Sequence, residues 1–206
     1  MASLRWDDGQ VSAAWDGSGD SVVALTHGAG GDMDDPILVG IATELAGRGV
    51  AVVRFNLPYR EAGRRAPGSP KAAEACWRSV AGTLRTEFKR TFLGGKSYGG
   101  RMASHVVADG TDCDGLVLLS YPLHPPGKPD RLRDEHLASI GVPILFCQGT
   151  RDAFATPELL DATVAKLPTA TLHRVDGGDH SLRVKGRPPA DVTSELTDAI
   201  STWLDA

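Results

Sequence analysis

Two hydrophobic rhythms alternate along this chain. Short runs in which almost every position is apolar, residues 21–26 (Ser-Val-Val-Ala-Leu-Thr) and 50–55 (Val-Ala-Val-Val-Arg-Phe), have the length and β-branched content of strands buried on both faces. Longer segments whose apolar residues return every three or four positions predict helices over 36–48, 70–88, 98–109, 157–166 and 191–204. Further strands are expected at 91–93, 115–120, 142–148 and 171–175, with a proline-rich loop and a short helix between the second and third of these. Near the start, 4–6 and 10–15 flank the turn residues Asp7-Asp8-Gly9 and predict a hairpin at an antiparallel sheet edge.

Repeated strand-helix-strand units join through right-handed crossovers, which lay the strands parallel and the helices on both faces. The expectation is therefore the α/β class: a three-layer αβα sandwich around a doubly wound, mostly parallel sheet of about seven or eight strands. At 206 residues with 41% hydrophobic content, the chain suits a single domain over 1–206 with a sizeable core. In such a sheet the loops that follow the strands gather at one edge, where ligands bind. Read in order, those loops are His27-Gly28-Ala29-Gly30-Gly31, Asn56-Leu57-Pro58-Tyr59, Ser97, Tyr121-Pro122-Leu123-His124, Thr150-Arg151-Asp152 and Gly177-Gly178-Asp179-His180.

Ser97 is the most informative of these positions. It lies in Gly95-Lys96-Ser97-Tyr98-Gly99, a Gly-x-Ser-x-Gly run between a strand and a helix, where small neighbours let the backbone turn sharply and leave the hydroxyl exposed at a helix N-terminus. The same residues could end a phosphate-binding loop, but that loop needs a glycine five positions before Gly95, and Arg90 stands there within a strand. A serine hydroxyl is a weak nucleophile at neutral pH, so it requires a base in reach and a carboxylate to orient the base.

Of six histidines, His173 and His105 fall within regular elements and His136 on a short helix expected to be exposed. His180 follows the last strand in a glycine-rich loop able to carry its ring over the serine, which makes it the candidate base. Asp152 is the candidate acid. Its alternative role, capping the helix at Pro157, is better filled by Thr156, and the rival Asp179 is the immediate neighbour of His180. An oxyanion hole would combine the Tyr98 N–H with that of Ala29, or of Gly30, in the loop after the first buried strand, with His27 as a brace for that loop.

Ser97, Asp152 and His180, in that order and on those strand ends, together with His27-Gly28, resemble the α/β-hydrolases over nearly the whole chain. Residues 121–129 and 148–152 are similar to the small dienelactone-hydrolase-like group, in the branch of the testis-expressed-protein-thirty-like hydrolases and the hydrolase-like domain of an acetyltransferase-complex subunit. The resemblance implies a serine hydrolase acting on an ester, thioester or small amide. Dienelactone hydrolases proper carry cysteine where this chain has Ser97, so their lactone chemistry is not implied.

Many relatives insert a helical cap where this chain has only residues 121–141. An open, shallow pocket for a small molecule with a short acyl chain is expected. Its candidate substrate contacts are Gly30, Tyr59 and His124. His124 and Lys128 face either a polar substrate or solvent, as do Arg54, Asn56 and Arg60 on the opposite wall, while Arg101 is expected in a structural ion pair.

A formal net charge of −4 without a basic stripe argues against nucleic acid. Charged Arg5, Asp7 and Asp8 interrupt any leader, and no apolar run reaches membrane-spanning length. Three cysteines without paired spacing suggest neither a disulfide framework nor a zinc site and fit the cytoplasm. No cofactor or metal is expected, and the assembly is read as a monomer or homodimer. A binding or scaffold protein with the same fold but no turnover is the competing functional reading.

Overall fold

A computed structural model describes residues 2–206. The alternation of apolar runs becomes one eight-stranded sheet in the order β1-β2-β4-β3-β5-β6-β7-β8. The hairpin β1 (Ala2–Trp6) and β2 (Gly9–Asp16) forms an antiparallel edge against β4 (Ala51–Phe55). β3 (Ser21–Thr26), β5 (Arg90–Lys96), β6 (Gly115–Leu119), β7 (Ile144–Gly149) and β8 (Ala170–Val175) continue it in parallel with β4.

Side chains alternate across this sheet and so divide the core in two. Val22 and Ala24 of β3 point to the layer containing Trp77 and Leu84 of α3 (Pro70–Glu87) and Met102 of α4 (Tyr98–Ala108). Val23 and Leu25 point to the other, where α1 (Pro36–Ala46) packs against α6 (Pro189–Leu204) through Leu38, Ile41, Leu196 and Ile200. α5 (Pro157–Val164) adds Leu160 to the first layer. The register sets Thr26 beside Gly95 and Gly95 beside Leu118, which brings the carboxyl ends of the central strands level and assembles their loops at one edge.

Several boundaries differ from the sequence expectation for local reasons. β5 continues through Gly94, Gly95 and Lys96, because these residues still pair with β6. β7 starts after Pro143, which lacks a ladder donor. α6 begins at Pro189, where a proline suits the first helical turn. A four-residue helix, α2 (Pro58–Glu61), is too short to leave a periodic signal. Among the described residues no helix is long and apolar enough to cross a membrane.

His136, expected to be exposed, lies in a 3-10 turn at Glu135–Ser139 and is half-buried. Its Nε2 is 2.8 Å from Ser104 Oγ, and its ring meets that of His105 edge to face at 4.3 Å. Burial, with His105 and Arg101 nearby, pushes its pKa down from the ordinary 6.5 to about 4. Between those values the unfolded chain binds a proton that the folded protein does not, so stability falls as pH drops from 6.5 towards 4. With the site partly exposed, the slope should stay below about 1 kcal/mol per pH unit. Urea midpoints measured across this window are expected to shift less with pH in His136→Gln than in the wild type.

Candidate functional site

The turn between β5 and α4 is built by close backbone approach. A Cβ on Gly95 would lie 2.3 Å from the Thr26 carbonyl oxygen, and one on Gly99 2.6 Å from that of His27, so both positions exclude any side chain. Packed this tightly against β3, the chain holds Ser97 in a left-handed conformation (φ 50°), rare for a residue with a Cβ. The Ser97 N–H donates to Leu119 O at 2.8 Å, and the Trp77 indole N–H donates to Gly99 O at 3.2 Å, fixing the start of α4 from both sides.

Ser97 occupies the N-cap position of α4 without using its hydroxyl as a cap. That hydroxyl is instead 2.9 Å from His180 Nε2. On the far side of the ring, His180 Nδ1 is 2.8 Å from Asp152 Oδ2. An ionised Asp152 accepts the Nδ1 proton, which leaves Nε2 as the acceptor facing Ser97. Asp152 is only 3% exposed, and the protein surrounds its carboxylate with donors. Gln148 Nε2 donates to Oδ2 at 2.6 Å and the Phe154 N–H to Oδ1 at 2.8 Å. Phe154 also lies over the His180 ring, with centroids 4.1 Å apart.

The rival carboxylate has other work. Asp179 Oδ1 accepts the N–H groups of Ser181 and Arg183 at 2.8 and 2.9 Å, tying down the loop that carries His180. Thr156 caps α5 through the Leu159 N–H, so Asp152 is not needed there.

His27 braces the opposite loop. Its Nε2 accepts the Leu57 N–H at 3.2 Å, so Nδ1 carries the proton and donates to Gly28 O at 2.9 Å. Burial holds its pKa below the ordinary histidine value, which keeps the ring neutral in this role. Tyr59 supports the same loop by donating its hydroxyl to Gly28 O at 3.3 Å, and burial pushes that phenol up to about 12. A cavity of about 280 Å³ opens above Ser97, lined by Gly28, Ala29, Gly31, Phe154, His180 and Ser181, with Lys96 and Asp35 at one side. The Tyr98 N–H, in the first turn of α4, has no intrahelical acceptor.

Ser97, His180 and Asp152 therefore come together, with Ala29 beside them. Tyr59 is a buried brace rather than a cavity wall, and Gly30 (φ 83°) turns the loop without lining the cavity. His124 departs from the rim position expected of it. It is 3% exposed, its N–H donates to Phe154 O at 3.0 Å, and Nδ1 lies 2.9 Å from Pro125 O, so it supports the loop bearing Phe154 from inside.

The opposite-wall candidates are likewise engaged. Arg54 pairs with Asp16 at 3.2 Å, Asn56 accepts the Met33 N–H at 2.8 Å, and Arg60 pairs with Asp32 at 3.0 Å. The ion pair expected of Arg101 is not formed among the described residues: its guanidinium sits 6.0 Å from the Tyr98 ring centroid. Gln148, Phe154 and the Lys96–Asp35 pair were not singled out from the sequence as site residues. For Gln148 a signal existed, since it is a polar residue ending the apolar run Ile-Leu-Phe-Cys.

Burial pushes the thiols of Cys76, Cys113 and Cys147 up to about 12, which leaves them protonated. Among the described residues, no three His, Cys, Asp or Glu side chains are grouped to hold a metal ion.

The fold recurs in solved structures. Est1E from Butyrivibrio proteoclasticus, solved with ferulic acid bound, superposes with a TM-score of 0.79 at 15% identity over 100% of both chains. XC6422 from Xanthomonas campestris, described as an α/β serine hydrolase without lid, gives 0.75 at 23% identity over 100% of this chain and 94% of that one. An α/β serine hydrolase homologue from Coxiella burnetii gives 0.77 at 18% identity, covering 98% of this chain and 96% of that one. At these identities the likeness concerns the fold. The family model for the alpha/beta hydrolase domain, however, matches residues 19–205, and this chain belongs to that family.

Proposed function

We propose that this protein is a serine hydrolase that cleaves an ester, thioester or small amide bond of a small molecule through an acyl-enzyme. The observation that carries this reading is the continuous relay from Ser97 Oγ to His180 Nε2 (2.9 Å) and from His180 Nδ1 to Asp152 Oδ2 (2.8 Å), at a serine held in a left-handed turn. Ser97 Oγ attacks the carbonyl carbon while its proton passes to His180 Nε2. The tetrahedral oxyanion is received by the N–H groups of Tyr98 and Ala29, and the positive end of the α4 dipole favours the same charge. As the intermediate collapses, His180 returns the proton to the leaving group. Water then attacks the acyl-enzyme with His180 again as base, releasing the acid and restoring Ser97. Asp152 stays ionised throughout and stabilises the imidazolium by accepting its Nδ1–H.

Only one 3-10 turn stands between β6 and β7, which supports the cap-less, dienelactone-hydrolase-like placement and direct access of a small substrate to Ser97. Three buried, free cysteines suit a reducing cytoplasm. We read the chain as one catalytic domain that needs neither cofactor nor metal, working as a monomer or homodimer.

Hydrolysis of p-nitrophenyl acetate is expected to fall by up to about 10⁶-fold in kcat in Ser97→Ala, and a fluorophosphonate probe should label the wild-type serine but not the variant. Unlabelled, folded wild-type protein without esterase activity would favour a binding protein that keeps the fold. Asp152→Asn preserves shape but favours the wrong imidazole tautomer, so kcat should drop by roughly 10⁴-fold. Steady-state assays together with thermal melts would separate this loss from a loss of folding.

A further inference from the structure

A second cavity, of about 410 Å³, adjoins the one above Ser97 and shares Asp35, Lys96 and Ser181 with it. Its walls come from the start of α1 (Pro36, Ile37), from the segment after His180 (Leu182, Val184) and from the start of α6 (Pro189, Val192). These walls are apolar, and the charges around them are already matched or exposed. Lys96 Nζ binds Asp35 Oδ2 at 2.7 Å, Arg187 binds Glu195 at 2.6 Å, and Arg183, at the cavity's rim, is exposed to solvent and its charge is screened there. Asp35 is fixed in turn, since its Oδ1 caps α1 through the Ile37 N–H. Leu182, buried at 1% exposure, holds a left-handed backbone (φ 59°) that a branched side chain seldom adopts. Strain of this kind is retained where the surrounding structure requires a particular shape.

The position of this cavity relative to the proton path says which part of a substrate it receives. During acylation the Ser97 Oγ–carbon bond forms, the bond from that carbon to the alcohol oxygen breaks, and the proton taken from Ser97 passes from His180 Nε2 to the departing oxygen. The alcohol must therefore lie on the His180 side, and the cavity begins at Ser181 and Leu182, the two residues that follow His180.

We infer that this second cavity is the leaving-group subsite and takes an extended, uncharged, apolar alcohol, so that the preferred substrates join a short acyl group to a longer apolar alcohol. The inference rests on the serine-hydrolase reading given above. A cavity of this size falls within the usual range for small-molecule sites. Lys96 and Asp35, neutralised by each other at its entrance, present no free charge to recruit a charged arm.

The test compares two ester series on the wild-type protein. Along ethyl, butyl and hexyl acetate, kcat/KM should rise by about fourfold per added methylene. Along p-nitrophenyl acetate, butyrate and hexanoate, where only the acyl group grows, no comparable rise is expected. Ile37→Trp and Val184→Trp fill the cavity from two different segments of its wall, and each should lower the hexyl-to-ethyl acetate ratio of kcat/KM at least tenfold. 1-Hexanol should inhibit p-nitrophenyl acetate hydrolysis competitively and far more strongly than ethanol, a readout that needs no variant. A flat alcohol series, or an equal rise along the acyl series, would overturn the assignment.

Absence of both ester turnover and fluorophosphonate labelling would instead overturn the serine-hydrolase reading. Calorimetric titration of 1-hexanol into the wild-type protein then decides the cavity's occupant: saturable binding upholds an apolar ligand there, and its absence removes it.

Discussion

The approach of β5 and α4 to β3 at the Ser97 turn is the constraint on which the site depends. Backbone carbonyls of Thr26 and His27 lie where Cβ atoms of Gly95 and Gly99 would otherwise stand. Without that contact nothing would hold a serine at φ 50°, a conformation that costs on the order of 1–3 kcal/mol. The strain is offset locally by the Ser97 N–H bond to Leu119 O and by Arg101 N–H donating to Ser97 O at 3.0 Å. The same contact joins Ser97 to the loop opposite, because the strand pressed against Gly95 runs directly into His27 and Gly28. A Cβ on Gly28 would lie 3.3 Å from Ser97 Cβ, so even this spacing is set by a missing side chain. The Ser97 turn and the loop after β3 are thus two ends of one packed interface.

The other half of the site depends on keeping a charge in the interior. A carboxylate withdrawn from water is tolerated only when donors replace its hydration. Asp152 receives them from His180, Gln148 and the Phe154 backbone, and each donor also orients something else. The Phe154 bond bends the loop so that its ring lies over His180, and His124 secures the same loop from within by donating to Phe154 O. Gln148, on the last turns of the β7 ladder, ties the carboxylate to the sheet. The histidine is consequently held by a chain of contacts reaching back to β7, while its own loop is closed by Asp179.

What the sequence made legible follows from where each residue sits on the fold. The meeting of Ser97, Asp152 and His180 is legible because each follows a strand whose apolar run is unmistakable, and a parallel sheet brings all such loops to one edge whatever their detailed shape. The side-chain directions of Tyr59, His124, His136 and Arg101 are not legible in the sequence, for the opposite reason. Each lies in a loop, a short turn or on a helix, where the direction of the side chain depends on partners far away in sequence. Tyr59 turns inward to meet Gly28 O, His136 inward to Ser104, and Arg101 over the Tyr98 ring without an acidic partner among the described residues. Position on an edge is encoded by periodicity; orientation within a loop is encoded by tertiary contacts.

The Lys96–Asp35 pair connects these two levels. Lys96 stands immediately before Ser97, where an unpaired ammonium would set a cationic field and attract anions to the cavity. Asp35 cancels that field at 2.7 Å, and both side chains are largely withdrawn from solvent, at 16% and 14% exposure for Asp35 and Lys96. Poor screening there makes the attraction between the two charges stronger than at an exposed pair. Asp35 can do this only because it is also the N-cap of α1, which fixes its carboxylate toward the turn. A helix cap thereby governs the electrostatics beside Ser97. The pair thus leaves no net charge at the junction of the two cavities, and mostly apolar walls lie beyond it.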